Sequence, residues 1–142
     1  MKTKAVPPAV RRKLEAAARK AAAKAYAPYS RFRVGAAVLA GSGRIYFGCN
    51  VENASYGLCM CAERSAILSA VASGESRIGA VAVYTPTREP TSPCGACRQV
   101  INEFGPDALV ISVCDSDKRL ESPLCDLLPD SFGPMNLKRA KR

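Results

Sequence analysis

Between Ile78 and Val113 the chain reads as strand, helix, strand. Ile78 to Tyr84 and Ala108 to Val113 are continuous apolar runs of strand length, and Gly95 to Phe104 between them reads as a helix that stops at Gly105. A strand that is apolar on both faces needs cover on both faces, and a helix joining two such strands carries the chain back to run parallel. These 36 or so residues therefore demand layers of helix on either side of a sheet that is at least partly parallel.

The upstream segments fit that frame. Residues 8 to about 26 are rich in Ala, Lys, Arg and Glu, with Val10, Leu14, Ala17, Ala18 and Ala21 near helical spacing. Pro28 ends this basic helix. Val34 to Ala40, the turn Gly41-Ser42-Gly43 and Arg44 to Cys49 read as a hairpin. An irregular polar stretch, Asn50 to Gly57, precedes a second helix from Ala62 to about Ala72, whose stripe Ala66, Ile67, Ala70, Val71 stops at Ser73-Gly74. The expected fold is α/β: one domain over residues 1–142, a three-layer α/β/α sandwich around a mixed sheet of about five strands. The basic residues 134–142 are expected to be a frayed tail.

Charge and composition exclude several classes. The net charge is +9, but residues 1–24 hold eight Lys/Arg against one Glu and residues 138–142 hold four Lys/Arg. The body between them holds nine Lys/Arg against eleven Asp/Glu. A polyanion-binding site collects its positive charge around the cleft, so nucleic acid is not the expected partner. No apolar run approaches the ~18 residues of a membrane span, and the start lacks a signal-peptide core, so a cytoplasmic protein is expected. Seven cysteines, at 49, 59, 61, 94, 97, 114 and 125, form an odd set that does not read as a disulfide framework. Cys49, Cys114 and Cys125 lie in or beside apolar stretches and are expected to be small buried hydrophobes.

The chemistry lies in the remaining cysteines. Cys61-Ala62-Glu63 stands 33 residues before Pro93-Cys94-Gly95-Ala96-Cys97, in a chain without histidine. Cys61 and Cys94 each open a helix, where free N–H groups and the helix dipole favour a thiolate, and Cys97 follows Cys94 in the same first turn. Three thiolates suit a zinc ion with its fourth position open, which is the arrangement of a catalytic site. Such a cluster carries a net charge of −1, and Arg64 is the candidate to offset it. Glu63 is the candidate proton carrier. Asn50 and Glu52 alternate on one face of an extended segment, so both can reach one ligand, and a carboxylate accepts strongly from a sugar hydroxyl. Two rival readings use the same residues: a structural four-thiolate zinc module that adds Cys59, and a thiol oxidoreductase built on Cys94-x-x-Cys97.

Cys-Ala-Glu followed by Pro-Cys-x-x-Cys resembles the signature of zinc-dependent nucleoside and nucleobase deaminases. Tyr29 to Ala37, Gly48 to Tyr56, Cys61 to Arg64 and Pro93 to Gln99 are, in addition, similar to the small homotetrameric cytidine deaminases, and the likeness runs from about residue 14 to 133. The resemblance implies hydrolytic deamination of cytidine and 2′-deoxycytidine in pyrimidine salvage. It implies one zinc per chain on Cys61, Cys94 and Cys97, with Glu63 moving protons between water, the base N3 and the leaving ammonia. It places the Ala62 N–H on the base O2, Phe32 against the ring, and Asn50 and Glu52 on the sugar 3′-hydroxyl. Ala54, Tyr56 and Phe132 are further implied substrate contacts, with the Tyr56 region and Phe132 reaching in from neighbouring subunits of a homotetramer. Deaminases of aminoacyl-nucleoside antibiotics share the zinc motifs but lack the Asn-x-Glu-Asn-Ala-Ser-Tyr segment present at 50–56. The tRNA adenosine deaminases and single-strand DNA editors usually carry His as first ligand, which is missing here.

Overall fold

The computed structural model describes residues 5–139. Helix α1, Pro8–Ala22, begins with proline in its first turn, where the missing N–H costs nothing, and ends with Arg19 and Lys20 near its negative pole. It stops four residues before the expected boundary. The Tyr26 N–H donates to the Asn50 carbonyl at 3.0 Å and the Tyr26 carbonyl accepts from Glu52 N–H at 2.8 Å, so this backbone is committed to a bridge and not to another helical turn.

Five strands form one mixed sheet in the order β2-β1-β3-β4-β5. β1 (Gly35–Ala40) and β2 (Ile45–Cys49) are the expected hairpin, turned at Gly43, whose φ of +88° suits a residue without Cβ. β3 (Ile78–Tyr84) pairs antiparallel with β1 and parallel with β4 (Leu109–Val113), with Ala80 opposite Leu109 and Tyr84 opposite Val113. Helix α2 (Ala62–Ala72) carries the chain from β2 across β1 to β3, and α3 (Gly95–Phe104) carries it from β3 to β4.

β1, β3 and β4 are apolar along most of their length because both faces are covered. On one face Ala36, Val38, Val81, Val83 and Val110 pack with Ala66, Ile67 and Ala70 of α2 and Ile101 of α3. On the other Ala37, Ala80, Ala82, Ile111 and Val113 pack with Leu14 and Ala18 of α1. This is the expected three-layer sandwich. Two glycines set how closely the layers approach. A Cβ on Gly35 would lie 1.9 Å from the Ala18 carbonyl oxygen of α1, and one on Gly48 would lie 2.5 Å from the Ala66 nitrogen of α2. The Gly48 contact seats the helix that carries Cys61 and Glu63.

Three features depart from the expectation. The fifth strand, β5 (Arg119–Pro123), has no apolar pattern; it is an edge paired only through β4, and its Arg119 and Glu121 reach Glu15 and Arg11 of α1 at 2.8 and 2.6 Å. Charges and a proline on an edge discourage pairing with other chains. Cys114 is buried, but Cys49 is only half-buried and Cys125, in the short helix α4 (Leu124–Leu127), is exposed. The α4 residue that enters the core is Leu124. The segment expected to fray from 134 instead forms α5, Pro134–Arg139. Asn136 stabilises its start, accepting the Gly133 N–H on Oδ1 at 2.8 Å while its own N–H donates to the Gly133 carbonyl at 3.0 Å. Residues 140–142 of the expected tail lie outside the described residues.

Candidate active site

Cys61 and Cys94 are the N-cap residues of α2 and α3, both in extended backbone conformation, and Cys97 is the third residue of α3. The approach to Cys61 is fixed by a reciprocal backbone pair, Val51 with Met60, at 2.9 Å in each direction. Because α2 and α3 lie on the same sheet face, their first turns meet. The three sulfurs fall within 4.8 Å of one another, and Cys61 Sγ is 3.9 Å from Cys94 Sγ. Tetrahedral Zn–S bonds of about 2.3 Å place neighbouring sulfurs roughly 3.8 Å apart. The donor set fits zinc.

The electrostatics agree with that fit. The Cys61 thiol is held down to about 5, first by its hydrogen bond with Cys97 and then by Arg64, against the opposing effect of burial. The Cys97 thiol is pushed up, by sharing that hydrogen bond and by its burial. One negative charge is thus ready on the trio, and a cation among the sulfurs reverses the cost at Cys97, because a coordinating thiol is deprotonated outright. Arg64, one turn on from Cys61, donates through Nη2 to Cys61 Sγ at 3.4 Å. The expected contact between this arginine and the sulfurs is present. Its Nε is buried with no hydrogen-bond partner among the described residues.

Glu63 is 5% exposed, and burial pushes its carboxyl above the ordinary range, with the neighbouring Cys61 charge adding to the shift. It lies in the floor of a cleft of about 310 Å³, at the small end of the range for small-molecule sites. Phe32, Asn50, Glu52, Ala62, Cys61 and Cys94 line the same cleft. Ala62, the first residue of α2, brings to it an N–H at a position where a helix has no carbonyl one turn back to receive it.

Asn50 and Glu52 do reach one space, and they are also structural. Asn50 accepts the Val34 N–H at 2.8 Å and donates to the Phe32 carbonyl at 2.7 Å. Glu52 Oε1 accepts the N–H groups of Tyr29 and Ser30 at 3.0 and 3.1 Å; its carboxyl is held below the usual range first by the Ser30 side chain and then by these backbone donors, against the opposing effect of desolvation. Together they pin the 29–34 loop, which includes Arg31 at φ 59°, an uncommon conformation for a side chain with a Cβ.

Three sequence candidates lie apart from the cleft. Ala54 is exposed on the 50–56 loop and does not line it. Tyr56, 72% exposed, stacks edge-on against Tyr29 at 5.7 Å and borders an adjoining hollow. Phe132 is 60% exposed and does not line the cleft of its own chain. The structure also adds residues. Thr85, buried at the end of β3, and Thr91 line the cleft and hydrogen-bond at 3.3 Å. Arg98 braces the entry to α3, donating to the Pro93 carbonyl at 2.8 Å and to Ser92 Oγ at 3.2 Å. Arg98 stands inside the Pro-Cys-x-x-Cys-Arg-Gln run and was legible there; nothing in the sequence marks Thr85.

A family model described as the cytidine and deoxycytidylate deaminase zinc-binding region matches residues 9–113. A cytidine deaminase of Sporosarcina psychrophila is 45% identical over 129 residues, 90% of this chain and 95% of that one. A crystal structure of cytidine deaminase from Burkholderia pseudomallei is 49% identical with a TM-score of 0.82, covering 85% of this chain and 98% of that one. One from Mycobacterium tuberculosis is 45% identical with a TM-score of 0.75, covering 87% and 97%. This chain belongs to the zinc-dependent cytidine and deoxycytidylate deaminase family. The three converging thiols all fall within the matched zinc-binding region, whereas Phe132 lies beyond it.

Family membership and geometry decide between the rival readings of the cysteines. Cys59 stands outside the trio: its Sγ accepts the Asn53 N–H at 3.3 Å, and its side chain forms part of the cleft wall. The zinc site therefore has three protein ligands. Cys94 and Cys97 share their centre with Cys61, which a dithiol redox motif does not require. Among the described residues no helix is long and apolar enough to cross a membrane.

Proposed function

We propose that this chain hydrolyses cytidine and 2′-deoxycytidine to uridine and 2′-deoxyuridine, releasing ammonia, as a step of pyrimidine salvage in the cytoplasm. The observation that carries the reading is the buried Glu63 carboxyl beside three converging thiols, at the floor of a cleft sized for a small molecule. Zinc held by Cys61, Cys94 and Cys97 supplies Lewis-acid activation of water at neutral pH. The chain's own groups do the rest. Glu63 takes a proton from the water that adds to C4, delivers it to N3, and then transfers a second proton to the departing amine, so that water and cytidine leave as uridine and ammonia. A carboxyl whose affinity for protons is raised by burial suits this two-way traffic. The Ala62 N–H at the start of α2 receives the base O2. Phe32 packs on the ring, and Asn50 and Glu52 hold the sugar 3′-hydroxyl from the loop they already pin. Arg64 draws charge from Cys61 and keeps the thiolate set from over-neutralising the metal.

The same reading includes a homotetramer with shared clefts. Tyr29 and Tyr56 are exposed rings on a hollow that shares Ser30, Glu52 and Cys59 with the cleft, and Phe132 is another exposed ring; a second copy satisfies both. In this arrangement Tyr56, Ala54 and Phe132 complete a neighbour's pocket.

The test is the loss of cytidine absorbance on adding protein, with zinc analysis, for the wild type and Glu63→Gln. The expected result is turnover by the wild type and one zinc per chain in both, with kcat in the variant lower by roughly 10²–10⁴. Zinc without turnover in the wild type overturns the substrate assignment. Mixing Glu63→Gln with Phe132→Ala chains tests the sharing: a lower KM in the mixture than in Phe132→Ala alone is expected, and an unchanged KM after subunit exchange refutes it.

A further inference from the structure

We propose that Gln99, Asn102 and Asn136 are positioning residues that aim the Phe132 ring outward into the cleft of a second copy of this chain. The inference rests on the shared-cleft reading above and identifies what makes it geometrically possible. A phenyl ring that is 60% exposed and free to rotate with its backbone would turn onto the apolar surface of its own chain. This one has its adjoining peptide group held on both sides. The Phe132 carbonyl accepts from Gln99 Nε2 at 2.9 Å and from Asn102 Nδ2 at 3.2 Å, two side chains one turn apart on α3. The N–H of the same peptide unit, on Gly133, donates to Asn136 Oδ1 at 2.8 Å.

Two further contacts tighten the clamp. Asn102 is only 7% exposed, and its Oδ1 accepts from Ser131 Oγ at 3.2 Å, so the amide spends donor and acceptor on consecutive parts of the 131–133 segment. A Cβ on Gly133 would stand 3.1 Å from Asn102 Nδ2, so the segment lies close on the helix. Three side chains thus fix a single peptide bond beside a ring that is 60% exposed and does not line the cleft of its own chain. Because α3 also holds Cys94 at its N-cap and Cys97 in its first turn, one rigid helix sets both a chain's own zinc ligands and the ring it offers to its neighbour.

The test is a double-mutant cycle on the zinc-loaded oligomer with cytidine as substrate. Gln99→Ala and Asn136→Ala are each expected to raise KM roughly two- to tenfold, the weight of one hydrogen bond, with kcat and zinc content near wild type. Both effects are expected to vanish in a Phe132→Ala background, which a merely structural role would not produce. Asn136 lies outside α3, so its variant probes the clamp without touching the helix that bears the zinc ligands. An equal rise in KM with and without Phe132, or none in either single variant while Phe132→Ala itself raises KM, overturns the clamp and leaves the shared cleft standing. If Phe132→Ala has no effect on KM, the shared cleft and the clamp fall together.

Discussion

Replacing Gly48 by alanine should damage the active site from beneath. The added Cβ would lie 2.5 Å from the Ala66 nitrogen and 2.8 Å from the Ser65 carbonyl carbon, both backbone atoms of α2. Ordinary contact begins near 3.4 Å, so β2 and α2 must separate by about 0.9 Å, and no side-chain rotation can absorb it. Overpacking of this kind costs typically 1–3 kcal/mol, and a backbone clash belongs at the upper end. For a chain near this size, that is a fall in the unfolding midpoint of about 2–4 °C per kcal/mol. The functional loss should be larger, since Cys61 and Glu63 ride on the start of α2, and displacement of catalytic groups by about 1 Å can cost 10²-fold. The assays are thermal unfolding at fixed protein concentration, zinc content, and kcat/KM for cytidine. Gly79→Ala is the control: its Cβ would meet nothing nearer than the Leu39 carbonyl oxygen at 3.8 Å, and it should be neutral or slightly stabilising. If Gly48→Ala melts within a degree of wild type and keeps full activity, α2 is not seated by this contact.

Other perturbations separate the roles of neighbouring residues. Arg64→Gln removes the donor to Cys61 and should lower zinc affinity or kcat by roughly 10–100-fold, read by competition with a chelator and by turnover; no change in either would leave Arg64 a bystander. Cys59→Ser should keep one zinc per chain, since this thiol faces Asn53, and metal loss would restore the four-thiolate reading. Glu52→Gln should raise KM for cytidine while leaving zinc content unchanged, because it weakens the acceptor for two backbone N–H groups of the 29–34 loop. The pH sign follows from its lowered pKa: the carboxylate's hold on the loop is complete above the unfolded value of 4.5 and is lost only as pH falls through the still lower folded value. The KM measured from neutral pH down to 4.5 should therefore show no transition from Glu52, and a step above 4.5 that Glu52→Gln abolishes would contradict this.

Local signals fared best where one element satisfied its own requirements. The extents of β1 to β4, α2 and α3 agree with their expected runs to within a residue, since β1, β3 and β4 are buried on both faces, β2 is fixed by its hairpin with β1, and each of the two helices ends at a glycine or a Ser-Gly pair. β5 was invisible because an edge strand needs only backbone pairing, and Arg119 and Glu121 are chosen for α1 and solvent, not for a core. α1 ended early because Tyr26 is recruited by residues 50–52, a contact no helical pattern can announce. Asn50 and Glu52 were read as ligand groups from their alternation; that the same side chains hold the 29–34 loop emerged only when residues 16 to 23 positions apart were brought together.

The sequence by itself determined the kind of chemistry: three thiols and a carboxyl, no histidine, two cysteines at helix starts, and a layered α/β chain to carry them. It left open whether Cys59, two residues before Cys61, joins the other three thiols as a fourth ligand. Tertiary structure left Cys59 out of the trio. Spacing fixes neighbours within one helical turn, as for Cys94 and Cys97, but a meeting across 33 residues depends on α2 and α3 sharing one sheet face with their first turns side by side. The same packing buried Glu63 and left Phe132 outside, so the proton affinity of the one and the exposure of the other are properties of the fold.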